Sequence, residues 1–139
     1  MAKILLLIIE DELGLAEMYA GNFKNQGFDV DIAHDGREGF DKMLTEHPSA
    51  VLMDIMMPGL SGLETLEKAK AEPSTKNIPI IMLTNLSSSA IEVQNAMNEG
   101  AAGYIVKAEA TPSQVVEKVK KILNPPPPPT EPTDSSVDT

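Results

Sequence analysis

The sequence predicts an α/β fold, a doubly wound parallel sheet of five strands alternating with five helices. Three observations lead there. Short aliphatic runs recur along the chain, each followed by apolar residues at helical spacing. Most of these runs show no polar alternation, which is how strands covered on both faces read. Gly27, Pro48, Pro73 and Gly100 stand where a helix must stop before the next strand.

Ile4–Ile9 is the first strand, aliphatic throughout. Lys3 before it gives a superficial likeness to a leader sequence. The run is too short for a signal peptide or a membrane span, and it ends in Glu10-Asp11-Glu12. Leu15, Tyr19 and Phe23 then recur at steps of four, the stripe of a first helix. Phe28–Ala33 alternates apolar with acidic residues, as a strand near a sheet edge does. Asp35-Gly36 reads as a turn, and Phe40, Met43 and Leu44 mark the second helix.

Ala50–Met53 is the third strand. Pro58, Gly59 and Gly62 form a loop before a helix that begins with Leu63 and Leu66. Ile78–Leu83 is the fourth strand, with Pro79 near its start, where a missing donor is tolerated. Ser87–Ser89 can cap a fourth helix over Ala90–Glu99. Tyr104–Val106 is a short fifth strand. The last helix has a sharp start: Thr111 at the N-cap, Pro112 at the first helical position and Gln114 in the capping-box position. Val115, Val119 and Ile122 form its inner stripe.

Composition changes abruptly after Leu123. Residues 1–123 form one domain, and 124–139 read as a disordered proline-rich tail or linker stub, with Pro125–Pro129 followed by Thr, Glu, Ser and Asp. The chain has 139 residues, 42% hydrophobic and 23% charged, enough to bury a core. Its formal charge of −10 repels nucleic acid and anionic membrane, so neither is expected as a direct partner. It has no cysteine, which excludes disulfides, a thiol nucleophile and thiolate metal sites, and fits a cytoplasmic location. The eight methionines read as core fillers, except Met56 and Met57 beside Asp54.

In an open parallel α/β sheet, ligands sit outside the carboxyl ends of the strands. At those ends stand Glu10 and Asp11, with Glu12 behind, then Asp54, Thr84 and Lys107. Carboxylates held together repel, so either a pKa rises or a cation neutralises them. Oxygen ligands without Cys or His favour a hard ion, Mg²⁺ or alternatively Mn²⁺. A carboxylate is a competent nucleophile toward phosphorus. A cation, an ammonium and a hydroxyl are suitable stabilisers of a transferring phosphoryl group.

From Ala2 to Leu123 the chain resembles the receiver domain of bacterial response regulators. The likeness rests on the acidic pair in Ile9-Glu10-Asp11-Glu12, on the stretch from Val51 through Asp54-Ile55-Met56-Met57-Pro58 to Gly62, on Met82-Leu83-Thr84, and on Gly103-Tyr104-Ile105-Val106-Lys107. The resemblance implies a flavodoxin-like sheet of strand order 2-1-3-4-5. It implies that Asp54 is phosphorylated by a sensor histidine kinase or phosphotransfer protein. Mg²⁺ would be held by Glu10, Asp11, Asp54 and the backbone carbonyl of Met56. Lys107 would pair with the phosphoryl oxygens, Thr84 would move to hydrogen-bond them, and Tyr104 would change rotamer with Thr84. Pro58 and Gly62 would shape the loop. The Ala90–Leu123 face would meet an output partner. Such a domain is a signalling switch that assists its own phosphorylation and dephosphorylation, not an enzyme with an external substrate.

The sequence departs from the family pattern at three places. Ala108 follows Lys107 where the family usually has proline in a cis bond; a cis bond to alanine costs roughly 2.5–4 kcal/mol more than trans. Asn85 follows Thr84 where Ala, Ser or Gly is usual, so it would either narrow access to Asp54 or add a hydrogen bond to the phosphoryl group. Met56 and Leu86 lie two residues beyond Asp54 and Thr84, on the path of a hydrolytic water that neither can orient. Three other readings compete. A haloacid-dehalogenase-type phosphatase would want an aspartate at Met56, and a flavin-binding domain would want a Ser/Thr/Gly loop in place of Glu10-Asp11-Glu12. A degenerate receiver, a constitutive interaction module, would have lost one of Glu10, Asp11, Asp54 or Lys107. The chain is either a single-domain regulator or the receiver half of a longer one.

Overall fold

The aliphatic runs become strands because each can bury side chains on both faces at once. The computed structural model describes residues 4–57, 59–85 and 90–123. In chain order these form β1 (Leu5–Ile9), α1 (Leu13–Asn25), β2 (Asp29–Ala33), α2 (Gly36–Glu46), β3 (Ala50–Asp54), α3 (Gly62–Ala71), β4 (Ile80–Thr84), α4 (Ala90–Asn98), β5 (Gly103–Val106) and α5 (Pro112–Ile122). The strands make one parallel sheet in the order β2-β1-β3-β4-β5.

Successive strand residues point to opposite faces, and the core divides accordingly. Leu6, Ile8, Leu52, Ile81 and Leu83 pack with Tyr19 and Phe23 of α1 and Val115, Val116 and Val119 of α5. Leu7, Ile9, Val51, Met53, Ile80 and Met82 pack with Met43 of α2, Leu66 and Ala69 of α3 and Ala96 of α4. Burying each large aliphatic side chain is worth about 1.5–3 kcal/mol. Phe23 and Phe28 meet edge to face, 5.1 Å between centroids. They fix the turn from α1 into β2.

The helix ends follow their chemistry. Ser61 and Thr111 make complete capping boxes with Glu64 and Gln114, and Pro112 opens α5 as expected. Asp35-Gly36 is not a free turn. Asp35 accepts a hydrogen bond from the Glu38 N–H and caps α2, which begins at Gly36. A side chain on Gly36 would collide with Thr65 and the Leu60 carbonyl, so glycine lets the starts of α2 and α3 touch. β4 begins at Ile80 rather than Ile78; the Ile78 N–H instead closes a turn on the Thr75 carbonyl. α4 ends one residue early, at Asn98. The inner face of α5 includes Val116, while Ile122 is only partly buried. Met57 is in the core and Met18 and Met97 are exposed; only Met56 of the pair beside Asp54 faces solvent. The expected Ser87–Ser89 cap, Pro58, Leu86 and the tail lie outside the described residues.

Candidate phosphoacceptor site

The site is built from strand ends. β1 runs out into Glu10, β3 ends on Asp54, β4 ends on Thr84, and Lys107 follows β5 directly. The register places Ile9 beside Met53 and Asp54 beside Leu83, so the loops after β1, β3 and β4 open on one edge. Carboxylate oxygens of Glu10, Asp11 and Asp54 lie within 4.8 Å of one another. Glu10 is 1% and Asp54 4% exposed, whereas Asp11 is open to solvent.

Lys107 ties the cluster together. Its Nζ donates to Asp54 Oδ2 at 2.9 Å and lies 3.0 Å from Glu10 Oε1. The Glu10 contact is an ion pair without hydrogen-bond alignment, so Glu10 Oε1 is a buried acceptor with no hydrogen-bond partner. The other oxygen, Oε2, accepts the Glu12 N–H at 3.1 Å. Asp54 Oδ1 accepts the Met56 N–H at the same distance. Lys107 reaches Asp54 although Ala108 follows it; the chain turns there through a short 3₁₀ segment, Lys107–Glu109.

The electrostatics are those of a crowded anionic site. Burial pushes Glu10 up to about 7; Lys107 opposes that rise and the Asp54 charge adds to it. Burial alone would lower the Lys107 pKa, but its hydrogen bond to Asp54 and the negative charge of Asp54 and Glu10 beside it outweigh that and hold it above the ordinary lysine value. Tyr19 is also raised, first by burial, while Lys107 acts the other way. A donor set made only of oxygen, with one buried acceptor unsatisfied, fits a hard divalent cation.

Thr84 is buried, and its hydroxyl donates to the Asn85 carbonyl at 3.2 Å. Asn85 itself is exposed. Tyr104 is 48% exposed on β5, next to Met82 of β4. Gly62 packs directly under the site: a side chain there would run into the Asp54 carbonyl and the Ile55 Cα. The Glu12 and Met56 amides, which fix Glu10 and Asp54, were not among the sequence-predicted contacts. A backbone donor leaves no signature in residue type.

A parallel sheet of this order with an acidic cluster and a lysine at its carboxyl edge defines the receiver class. The chain belongs to the response regulator receiver domain family, whose model matches residues 6–120. It is 33% identical over 116 residues to the phosphate regulon transcriptional regulatory protein PhoB of Rhizobium meliloti (strain 1021). That match covers 84% of this chain and 50% of the relative, so the chain spans about half the relative's length. Its fold is similar to that of the chemotaxis protein CheY4 of Vibrio cholerae, with TM-score 0.80 and 25% identity over 88% of this chain and all of that one. It is also similar to a response regulator receiver domain protein from Clostridium thermocellum, with TM-score 0.77 and 25% identity over 87% and 94% of the two chains.

Proposed function

We propose that the protein is a phosphorylation-activated switch whose phosphoacceptor is Asp54. The observation that carries this is the single ammonium of Lys107 set against both Asp54 and Glu10, with Asp11 beside them. Glu10, Asp11, Asp54 and the Met56 carbonyl would hold Mg²⁺, or Mn²⁺ in its place. The bound ion supplies charge neutralisation at the phosphoryl oxygens.

The donor is a phosphohistidine on a sensor kinase or phosphotransfer protein. A carboxylate oxygen of Asp54 attacks phosphorus, the P–N bond breaks, and its electron pair returns to the imidazole. Lys107 is already at Asp54 and turns to the new phosphoryl oxygens, which leaves Glu10 without its ammonium. Thr84 gives up the Asn85 carbonyl for a phosphoryl oxygen, and Tyr104 responds by turning inward. Each contact exists only in the phosphorylated state, so each biases a two-state population. The output partner reads the Ala90–Leu123 face. The expected place of action is the cytoplasm; among the described residues no helix is long and apolar enough to cross a membrane. In a longer protein the partner could be a second domain, as the relative's length suggests.

Met56 is exposed beside Asp54 and cannot orient water. With Leu86 it makes self-dephosphorylation slow. A Met56→Asn, Leu86→Glu variant should lose its phosphoryl group faster than wild type; an unchanged lifetime would remove this part of the proposal. The main test is intact-mass analysis after incubation with phosphoramidate, with and without Mg²⁺. One Mg²⁺-dependent phosphoryl adduct, absent from Asp54→Ala, is expected. No adduct with Mg²⁺ shown to bind would mean that Ala108 or Asn85 disables transfer, and no adduct with no Mg²⁺ binding would assign the domain to constitutive protein contact instead.

A further inference from the structure

The sheet has a free edge at β2, and side chains cover part of its outward backbone. Asp29 donates its N–H to the Ile4 carbonyl, and the Ala33 carbonyl accepts from Glu10, both toward β1. Alternation along the strand therefore turns the N–H and C=O of Val30, Ile32 and His34 away from the sheet. Such a row is a ready template for another strand.

Side chains occupy three of those six groups. The Ile32 N–H donates to Asp31 Oδ1 at 2.8 Å. The Ile32 carbonyl accepts from Lys42 Nζ at 2.8 Å. The His34 N–H donates to Glu38 Oε1 at 2.8 Å. The same side chains hold one another: Lys42 Nζ lies 3.1 Å from Asp31 Oδ2 and 3.5 Å from Glu38 Oε2. Glu38 and Lys42 are one turn apart on α2, so the helix lays both across the strand edge. Among the described residues no side chain is bonded to the outward groups of Val30.

We propose that Asp31, Glu38 and Lys42 form a latch that closes the β2 edge against strand addition, and that the occupant it excludes is β2 of a second copy of this chain. A second copy fits because every molecule carries the same edge. Two β2 strands run antiparallel about a twofold axis would exchange the outward groups of Val30 and Ile32. The half-buried side chains of Val30 and Ile32 would then extend the sheet across the pair. This role is separate from phosphoryl transfer and survives or fails independently of Asp54.

Two experiments test it on the unphosphorylated full chain. In native-state hydrogen exchange of wild type, the Ile32 and His34 amides should exchange at least tenfold more slowly than the Val30 amide. Equal, fast exchange at all three would overturn the latch without any variant. In sedimentation equilibrium, Asp31→Thr, Glu38→Gln, Lys42→Met should form a concentration-dependent dimer that wild type does not. Adding Val30→Pro should abolish it, because the Val30 N–H faces outward and its loss breaks no bond to β1. A folded triple variant that stays monomeric, or a dimer indifferent to Val30→Pro, would contradict the proposal.

Discussion

The interior of the sheet and the Glu10–Asp54 pair at its carboxyl edge are both buried and chemically opposite. Leu52 and Met53 in the middle of β3 are fully buried among aliphatic neighbours. One residue on, Asp54 is almost as buried and faces two other carboxylates and one ammonium. The first region is satisfied by the fold alone. The second crowds three carboxylates around one ammonium, and Glu10 Oε1 meets that ammonium only as an ion pair. The difference teaches that stability is held in the layers, while the strand ends carry charge that the fold itself leaves crowded; the proposed ion and phosphoryl group would complete it.

The largest contrast is functional. Asp54→Asn should abolish phosphoryl uptake, read as complete loss of the mass adduct, yet leave metal-free stability equal to wild type or higher. It removes one of the carboxylates that share Lys107 and leaves the Glu10–Lys107 pair intact. Leu52→Ala, two residues away, should do the reverse. It should cost about 2–5 kcal/mol in denaturant unfolding, with phosphoryl uptake retained at temperatures where the variant is folded. Comparable stability losses from both variants would erase the distinction.

A smaller effect concerns pH. Burial pushes the Glu10 carboxyl from its ordinary value of 4.5 up to about 7 in the folded state. Between these values the folded state holds more protons than the unfolded one. Metal-free stability should therefore fall as pH rises from about 4.5 toward 7, the opposite of an ordinary paired carboxylate. Glu10→Gln should flatten that slope in thermal melts across the window; an unchanged slope would mean that Glu10 is not its source. The smallest effect is local. Thr111→Ala removes one capping bond of α5 and should cost about 1 kcal/mol without altering Mg²⁺ binding, checked by denaturant unfolding and ion titration.

The sequence made the layers legible because aliphatic runs and helical stripes are periodic, and the strand-end residues legible because topology places them. Other features were hidden in physical terms. Asp35-Gly36 carries turn chemistry and cap chemistry alike, and only the Glu38 N–H decides between them. His47 ends α2 in a left-handed conformation (φ 48°) that a non-glycine residue does not announce. Met57 looks like its neighbour Met56 until the loop folds it inward. Glu38 and Lys42 read as a solvated helix face; their bonds to β2 depend on a distance between elements that no local pattern encodes. The Glu10–Lys107 contact is hidden for the same reason, since its partners stand at opposite ends of the domain sequence.

The most direct test of the charge-crowded edge is Mg²⁺ titration of the thermal midpoint at pH 7, for wild type and Asp54→Asn side by side. Binding to the folded state alone should raise the wild-type midpoint with the logarithm of free Mg²⁺. The variant should lose most of that rise. An equal rise in both proteins, or none in wild type, would contradict an edge built around Asp54 to take a divalent cation.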